Sequence, residues 1–547
     1  MMSKGSGIDK RQREYIDPVK IIYKTEDVEN AEILLGNAPV QPVFANMSYC
    51  LMKKGSSVIL DFGRELNGSV RLITHYIEGR SKTAALRIRF GESVSESMAE
   101  LGEKNAGNNH TARDIMFIAA AMGAAEYGET GFRFIKIDVI NDVTVQFQKI
   151  HAVYIHDTAQ MVGSFACDDP LLNRVWQTGA YTVHLNMQNY IFDGIKRDRL
   201  VWIGDMHPEV STICSVYGEH ESVYQSLDFV RDGTPADQWM NNIPTYSMWW
   251  LIIQYDWYMQ NGNLEYLNEQ RQYITDLINN AAKWIAAYKI TRDFDRFVDW
   301  SSHLTECADA GVMAIFILGF QAAKNIFKLY SDEAMALKCE YTIASLTNRT
   351  YPYAKNKQIA ALASLSGIAD SEKVYDEILS KDLLHGLSTF LGYYTLLAMG
   401  KAGKHKDALS IIRGYWGGML KMGATSFWED FDLAWTKNAF RIDELPVEGK
   451  DDIHGDFGKF CYTQFRHSLC HGWASGPTPF LSHCIMGVKI LESGCKKVKI
   501  TPQMCDLKWL KGAYPTPYGS IEIEHCCDKK GKIFSKIKAP DEVEVLW

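Results

Sequence analysis

The sequence predicts a multidomain α and β chain, with a large ring of helical hairpins between an N-terminal β-sandwich and a smaller C-terminal one. Three observations predict it. At 547 residues the chain exceeds one ordinary domain. Apolar residues follow a period of two over residues 1–162, a helical period over 163–490, and a period of two again over 491–547. No low-complexity linker separates the three regions, so they are expected to pack together.

In the first region "VILDF" (58–62), "LRIRF" (86–90), "FRFIKIDV" (132–139) and "VTVQFQKI" (143–150) read as strands, with a turn at Asn141-Asp142. Many short strands without intervening helices imply a sandwich. In the second region, Leu264, Leu267, Ile274, Leu277, Ile278, Ala281, Trp284, Ile285 and Tyr288 form one helical stripe, with Asn263 as N-cap. Similar runs fall near 170–190, 208–230, 246–261, 307–329, 331–348, 371–380, 385–400, 404–413 and 470–486. Ten to twelve helices without a sequence repeat indicate a toroid of hairpins and not a solenoid. The third region holds "KKVKI", "LKWLKGAY", the turn "PTPYG", "GSIEIEHC" and "KIFSKIK".

Composition narrows the function. Hydrophobic residues at 46% and charged ones at 23% are ordinary globular values. The net charge of −8 gives no electrostatic footprint for nucleic acid or an anionic membrane. No run of about 18 apolar residues is evident, so no transmembrane helix is expected. The N-terminus lacks the apolar core of a signal peptide, which points to the cytoplasm. None of the 12 cysteines forms a C-x-x-C pair, and Cys167, Cys214 and Cys339 sit singly in apolar patterns. Buried reduced thiols are the reading. No glycine loop of the Walker or dinucleotide type is present.

Three stretches carry candidate chemistry. In "FDGIKRDRLVWIGDMHPE" (192–209), Asp193, Asp198 and Asp205 surround Lys196, Arg197 and Arg199, then run into Leu200-Val201-Trp202-Ile203. That fits neither an amphipathic helix nor an alternating strand. The bland roles are turn cap for Asp193, ion-pair member for Asp198 and N-cap for Asp205. In "TSFWEDFDLAW" (425–435), Glu429, Asp430 and Asp432 lie among Phe427, Trp428, Phe431 and Trp435. Acids in an aromatic wall have raised pKa values, as proton transfer requires. In "RHSLCHGW", His467 and His471 are four apart beside Cys470, but no third metal ligand announces itself. His471 reads as a pocket residue and His467 as a surface histidine. Of 14 tryptophans, 12 lie between residues 176 and 473, and none precedes 176. Flat aromatic faces suit a sugar cleft, and Trp202, Trp300 and Trp428 each lie near a carboxylate.

The run Asp193-Gly-Ile-Lys-Arg197-Asp198-Arg199-Leu-Val-Trp202-Ile-Gly204-Asp205, with the later Thr425-Ser-Phe-Trp428-Glu429, resembles the α-L-rhamnosidase-type glycoside hydrolases. The resemblance covers most of the chain, best from about 165 to 490. It implies an (α/α)6 barrel flanked by β-sandwiches and an inverting, cofactor-free hydrolysis. By motif, Glu429 would be the general base and Asp198 would stand where the acid does. Asp193, Arg197 and Asp205 would bind sugar hydroxyls, with Trp202, Trp239, Asp299, Trp300 and His471 around them. The family's usual acid is glutamate, so Asp198 departs from the pattern by one methylene, which leaves open a barrel that binds carbohydrate without hydrolysing it, or another hydrolase on the same scaffold such as an unsaturated-uronide hydrolase. A glycoside is the implied partner; a homo-oligomer is compatible with the sequence.

Overall fold

The computed structural model describes residues 8–44, 47–287, 293–303 and 305–547. Tyr288, expected on the helical stripe above, lies outside them.

The N-terminal region is one eight-stranded antiparallel sheet built from β1 (Gln12–Ile16), β2 (Lys20–Lys24), β3 (Cys50–Lys53), β4 (Ser57–Gly79), β5 (Thr83–Gly91), β6 (Asp114–Ala120), β7 (Gly123–Val139) and β8 (Val143–His156). Its spine runs β1-β8-β4-β7-β5-β6, with β2 paired to β4 and β3 to β8. Strands expected to be short are therefore long. Register shifts between Asp61 and Leu66 and between Gly68 and Val70 mark bulges in β4. Bulges bend and twist a strand, and β4 pairs along its length with β2, β7 and β8. A short helix, α1 (Val94–Met98), follows β5 and is capped by Ser93, whose side chain accepts from the Glu96 amide.

The helical region runs α2 (Pro170–Asn186), α3 (Met206–Val216), α4 (Glu221–Gly233), α5 (Pro244–Asn261), α6 (Leu264–Glu269), α7 (Arg271–Ala287), α8 (Ala308–Leu329), α9 (Glu333–Thr347), α10 (Lys357–Ser366), α11 (Ser371–Val374), α12 (Leu391–Lys401), α13 (His405–Ile411), α14 (Gly417–Lys421) and α15 (Pro477–Phe480). Six of these form a closed inner ring. α3 packs on α5, α5 on α8, α8 on α10, α10 on α12, α12 on α15, and α15 returns to α3. The others alternate with them along the chain.

Two differences from the sequence reading have physical causes. The run at 208–230 breaks at Gly218 (φ 80°), a conformation that ends α3 and turns the chain into α4. α10 went unread because it is buried on nearly every side, and a helix apolar all round has no amphipathic stripe. α8 corrects the membrane reading. By length and composition it could cross a bilayer, yet 78% of its most apolar 18-residue stretch is buried inside the protein.

At the C-terminal side, Val488–Glu492, Lys497–Ile500 and Glu544–Leu546 form a three-stranded sheet. Trp509–Thr516, Gly519–Cys527 and Ile533–Lys538 form a second, and β9 (Ser164–Cys167) completes it by pairing with Leu510–Ala513. Residues 164–167, taken from sequence as the start of the helical region, thus belong to the terminal sheet. β9 ties the entrance of the helical ring to the far end of the chain. The 12 cysteines are all free thiols, seven of them buried.

Candidate active site

A cavity of about 390 Å³ opens where α3, α5, α8 and α15 begin. The loops that lead into those four helices build its walls. Residues 193–205 precede α3, Asn241–Ile243 precede α5, Phe297 and Trp300 precede α8, and Glu429 through Trp473 precede α15. Backbone pairing zips three of these segments together. Gly194 bridges His471, the Gly472 amide donates to the Asp193 carbonyl (2.9 Å), and the His471 amide donates to the Phe427 carbonyl (2.9 Å). Asp198, Arg199, Asn241 and Asn242 all have φ between 51° and 61°, the left-handed region. Three of these non-glycine residues line the cavity and Arg199 adjoins it in the chain, strain of the kind that clusters at functional sites.

Arg197 stands at the centre. Its Nη2 is ion-paired with Glu429 Oε1, and its Nη1 lies 3.3 Å from Asp198 Oδ1. Its guanidinium also covers the Tyr462 ring at 5.8 Å. The second oxygen of Glu429 accepts from the Ser468 amide (3.1 Å). Burial raises the Glu429 pKa, and Arg197 opposes that rise only in part. Asp198 is less enclosed, 18% exposed, and its oxygens are shared out. Oδ1 also meets His110 Nδ1 at 3.2 Å, and Oδ2 accepts from Trp202 Nε1 at 3.2 Å. Arg199, the other cation beside it, turns away to Asn67 Oδ1, the Ile195 carbonyl and Glu129.

The remaining acids form the floor. The Nε2 of His471 lies 3.7 Å from Asp193, 3.7 Å from Glu429 and 4.0 Å from Asp205. Burial holds its pKa well below the ordinary histidine value, and Arg197 adds to that. Burial pushes Asp193 well above the carboxylate range, with Asp198 and Asp205 adding to it. Burial raises Asp205 likewise, against a hydrogen bond from Tyr246 Oη (3.0 Å). Asp205 occupies the N-cap place of α3 but makes no capping bond. Its carboxyl faces Tyr246, whose ring would lie 2.3 Å from a Cβ on Gly204. Glycine at 204 is what lets the ring approach the loop. Asp193 does accept from the Leu200 amide (3.0 Å), so its turn-capping role and its place in the cavity coexist.

The structure does not bring every expected residue to the cavity. Trp239 packs edge-on against Trp284 and Phe316 in the core, and its successors Asn241–Ile243 line the wall. Asp299 lies behind the wall, accepting from Ser301 Oγ (2.6 Å) and Ser388 Oγ (3.1 Å). Trp428 is core. Asp430, pushed up to about 7 by burial and by Asp299, is off the cavity, and Asp432 caps Leu433–Lys437. His467 is buried and not on the surface; its Nε2 accepts from the Asp430 amide (2.9 Å). Missed from sequence were Tyr246, Tyr462, Trp473, Arg466 and His110. The aromatics were indistinguishable from core residues, but the polar loop "GNNHTAR" that carries His110 offered a signal.

A second cluster lies directly behind the first. Lys196 Nζ sits 2.9 Å from Glu92 and 3.1 Å from Glu96, and donates to the carbonyls of Phe465 (3.0 Å) and His467 (2.7 Å). Glu92, Glu96 and His454 are close enough to hold a metal ion, but the Lys196 ammonium lies on both carboxylates. Glu92 also accepts from the Leu469 amide (2.6 Å), so the N-terminal sheet clamps the segment that orients Glu429.

Residues 160–312 match the family model of the bacterial α-L-rhamnosidase six-hairpin glycosidase domain, and residues 487–546 match that of the bacterial α-L-rhamnosidase C-terminal domain. An α-L-rhamnosidase of Formosa agariphila is 22% identical, covering 89% of this chain and 54% of that protein. The family 78 rhamnosidase of Bacillus sp. GL1 has the same fold, with a TM-score of 0.74, 22% identity, and 94% and 55% of the two chains covered. The Klebsiella oxytoca rhamnosidase solved with rhamnose superposes at TM-score 0.68, with 18% identity over 87% of this chain and 96% of that one. The chain spans about half the length of the curated relative it matches. Over residues 160–312 and 487–546, and in its fold, the chain is thus similar to the α-L-rhamnosidases of family 78, and the loop motif of that resemblance lines the cavity.

Proposed function

We propose that the protein is a glycosidase that releases terminal α-L-rhamnose, or a related deoxy sugar, from a glycoside with inversion, on an (α/α)6 barrel flanked by two β-sandwiches. The observation that carries this reading is a pair of carboxylates in different environments, Glu429 and Asp198, held on the two Nη atoms of Arg197 beside one cavity. Glycoside hydrolysis needs such a pair, one acid to protonate the leaving oxygen and one base to activate a water.

Glu429 suits the base. It is buried, its proton affinity is raised, and the Ser468 amide fixes Oε2. Asp198 suits the acid by position, since it is the more exposed of the two and lies beside the cavity mouth. Its Oδ1 lies between Arg197 Nη1 and His110 Nδ1. The Nη1 contact at 3.3 Å is a weak one. A leaving-group oxygen that displaces Nη1 from Oδ1 leaves Asp198 held by Trp202 and His110 and free to carry the proton. The cavity volume suits one sugar ring, which favours attack at a chain end. Trp202, Trp300 and Trp473 supply flat faces, while Asp193, Asp205 and His471 supply hydroxyl partners.

A screen of nitrophenyl glycosides together with unsaturated uronyl disaccharides tests the assignment. Hydrolysis confined to the α-L-rhamnoside and its 6-deoxy relatives is expected. Cleavage of unsaturated uronides alone would overturn it.

A further inference from the structure

Resting on the glycosidase reading, we propose that the leaving-group side of the cavity accepts an aglycone carrying an anion, a uronate carboxylate or a sulfate, with Arg466 as its main contact and His110 as its second. The leaving oxygen must lie at Asp198, so the aglycone begins where Asp198 meets its neighbours. His110, from the N-terminal sheet, is 3.2 Å from Asp198, and it lines a recess beside the cavity. Arg197 and Arg466 line both spaces.

The recess is cationic while the cavity floor is acidic. Most of its cations are already committed. Lys196 is bonded to Glu92 and Glu96, Arg113 donates to the carbonyls of Phe90, Glu96 and Ala99, and Arg197 holds Glu429 and Asp198. Arg466 differs. Its Nε donates to the Cys461 carbonyl (3.1 Å), and no carboxylate pairs with it among the described residues. An unpaired guanidinium at a cavity mouth presents a planar fork that matches an oxyanion. The recess holds about 20 Å³, room for roughly one water-sized group. Thus one oxygen of the anion enters while the sugar ring that bears it stays at the mouth.

The test compares α-L-rhamnosyl-(1→4)-glucuronate, α-L-rhamnosyl-(1→4)-glucose 6-sulfate and neutral α-L-rhamnosyl-(1→4)-glucose. For wild type, kcat/KM for one anionic probe should exceed the neutral one by about 10–100-fold at low salt, the scale of a charge-assisted contact. The better anion identifies the source. The ratio should shrink as salt rises. It should fall to near unity in Arg466→Gln and recover in part in Arg466→Lys. If wild type leaves all three intact, the same ratio is read from calorimetric dissociation constants. Anion selectivity there would support the subsite while sinking the hydrolytic reading. Equal values for anionic and neutral probes, or a preference unchanged in Arg466→Gln, would overturn the proposal.

Discussion

Lys196 and Arg197 are neighbours in the chain, both buried, and each is bonded to two carboxylates, yet they serve opposite ends. Lys196 is closed in. Its partners Glu92 and Glu96 come from the N-terminal sheet region, two backbone carbonyls complete its donors, and it has no face on the 390 Å³ cavity. Arg197 holds its carboxylates at the edge of a space that a substrate can enter, and its Nε has no partner among the described residues. A satisfied buried network fixes a structure, whereas an open one can exchange partners with a ligand. The alternation of the two side chains along the loop separates scaffold from chemistry within one residue.

That contrast can be broken from either side. The largest effect is expected at Glu429. Glu429→Gln is nearly isosteric, so the fold should survive while turnover falls about 10²–10⁴-fold, the range for a lost acid–base group. Near-wild-type turnover in a folded variant would move Glu429 to the structural side.

Asp198→Asn comes next. Loss of an acid matters most when the leaving group is poor. Alkyl rhamnosides should lose about 10²-fold or more, and nitrophenyl rhamnoside far less. Equal losses for both would make Asp198 a mere ion-pair partner of Arg197.

Lys196→Met attacks the closed network. Two buried acids would remain, and breaking such a network costs roughly 3–5 kcal/mol. Glu92, already pushed up to about 7 by burial, should then take up a proton. Denaturant titration should show the loss, with residual activity in the folded fraction. Unchanged stability would remove Lys196 from the scaffold.

The smallest effect concerns Glu209 in α3, whose two oxygens have no partner among the described residues and whose pKa burial raises well above the ordinary value. A raised folded-state pKa gives stability that is fully present below the unfolded pKa and lost as pH rises toward the folded one. Glu209→Gln should therefore match wild type near pH 4 and exceed it at pH 8. The gain is about 1.4 kcal/mol per pH unit separating the two pKa values. Equal stability at both pH values would mean Glu209 is solvated.

The same pair of residues shows what sequence could and could not reveal. The loop 193–205 was legible because charges and aromatics there broke every periodic pattern, while Trp202 and Trp300 stood out as tryptophans near carboxylates and His471 as a pocket histidine. The strand–helix–strand order was legible from period alone. Trp239 and Asp299 were not, since a side chain's direction off a loop is set by packing: Trp239 is turned onto Trp284 and Phe316. Tyr246 lies inside an apolar helix and looks like any core tyrosine until Gly204 meets its ring. His110 reaches the site from 88 residues before Asp198, a contact made only when the N-terminal sheet docks. The release of Arg199 toward Glu129, which the acid role needs, depends on the left-handed backbone at 198–199 and on that same sheet.

The central claim is that Glu429 and Asp198 work as base and acid across Arg197, with a water between base and sugar. Proton NMR in the first minutes of hydrolysis of nitrophenyl α-L-rhamnoside reads the released sugar before it mutarotates. The account predicts β-L-rhamnose as the first product, the inverted anomer. Appearance of α-L-rhamnose first would contradict it, because retention requires a nucleophile in place of the water.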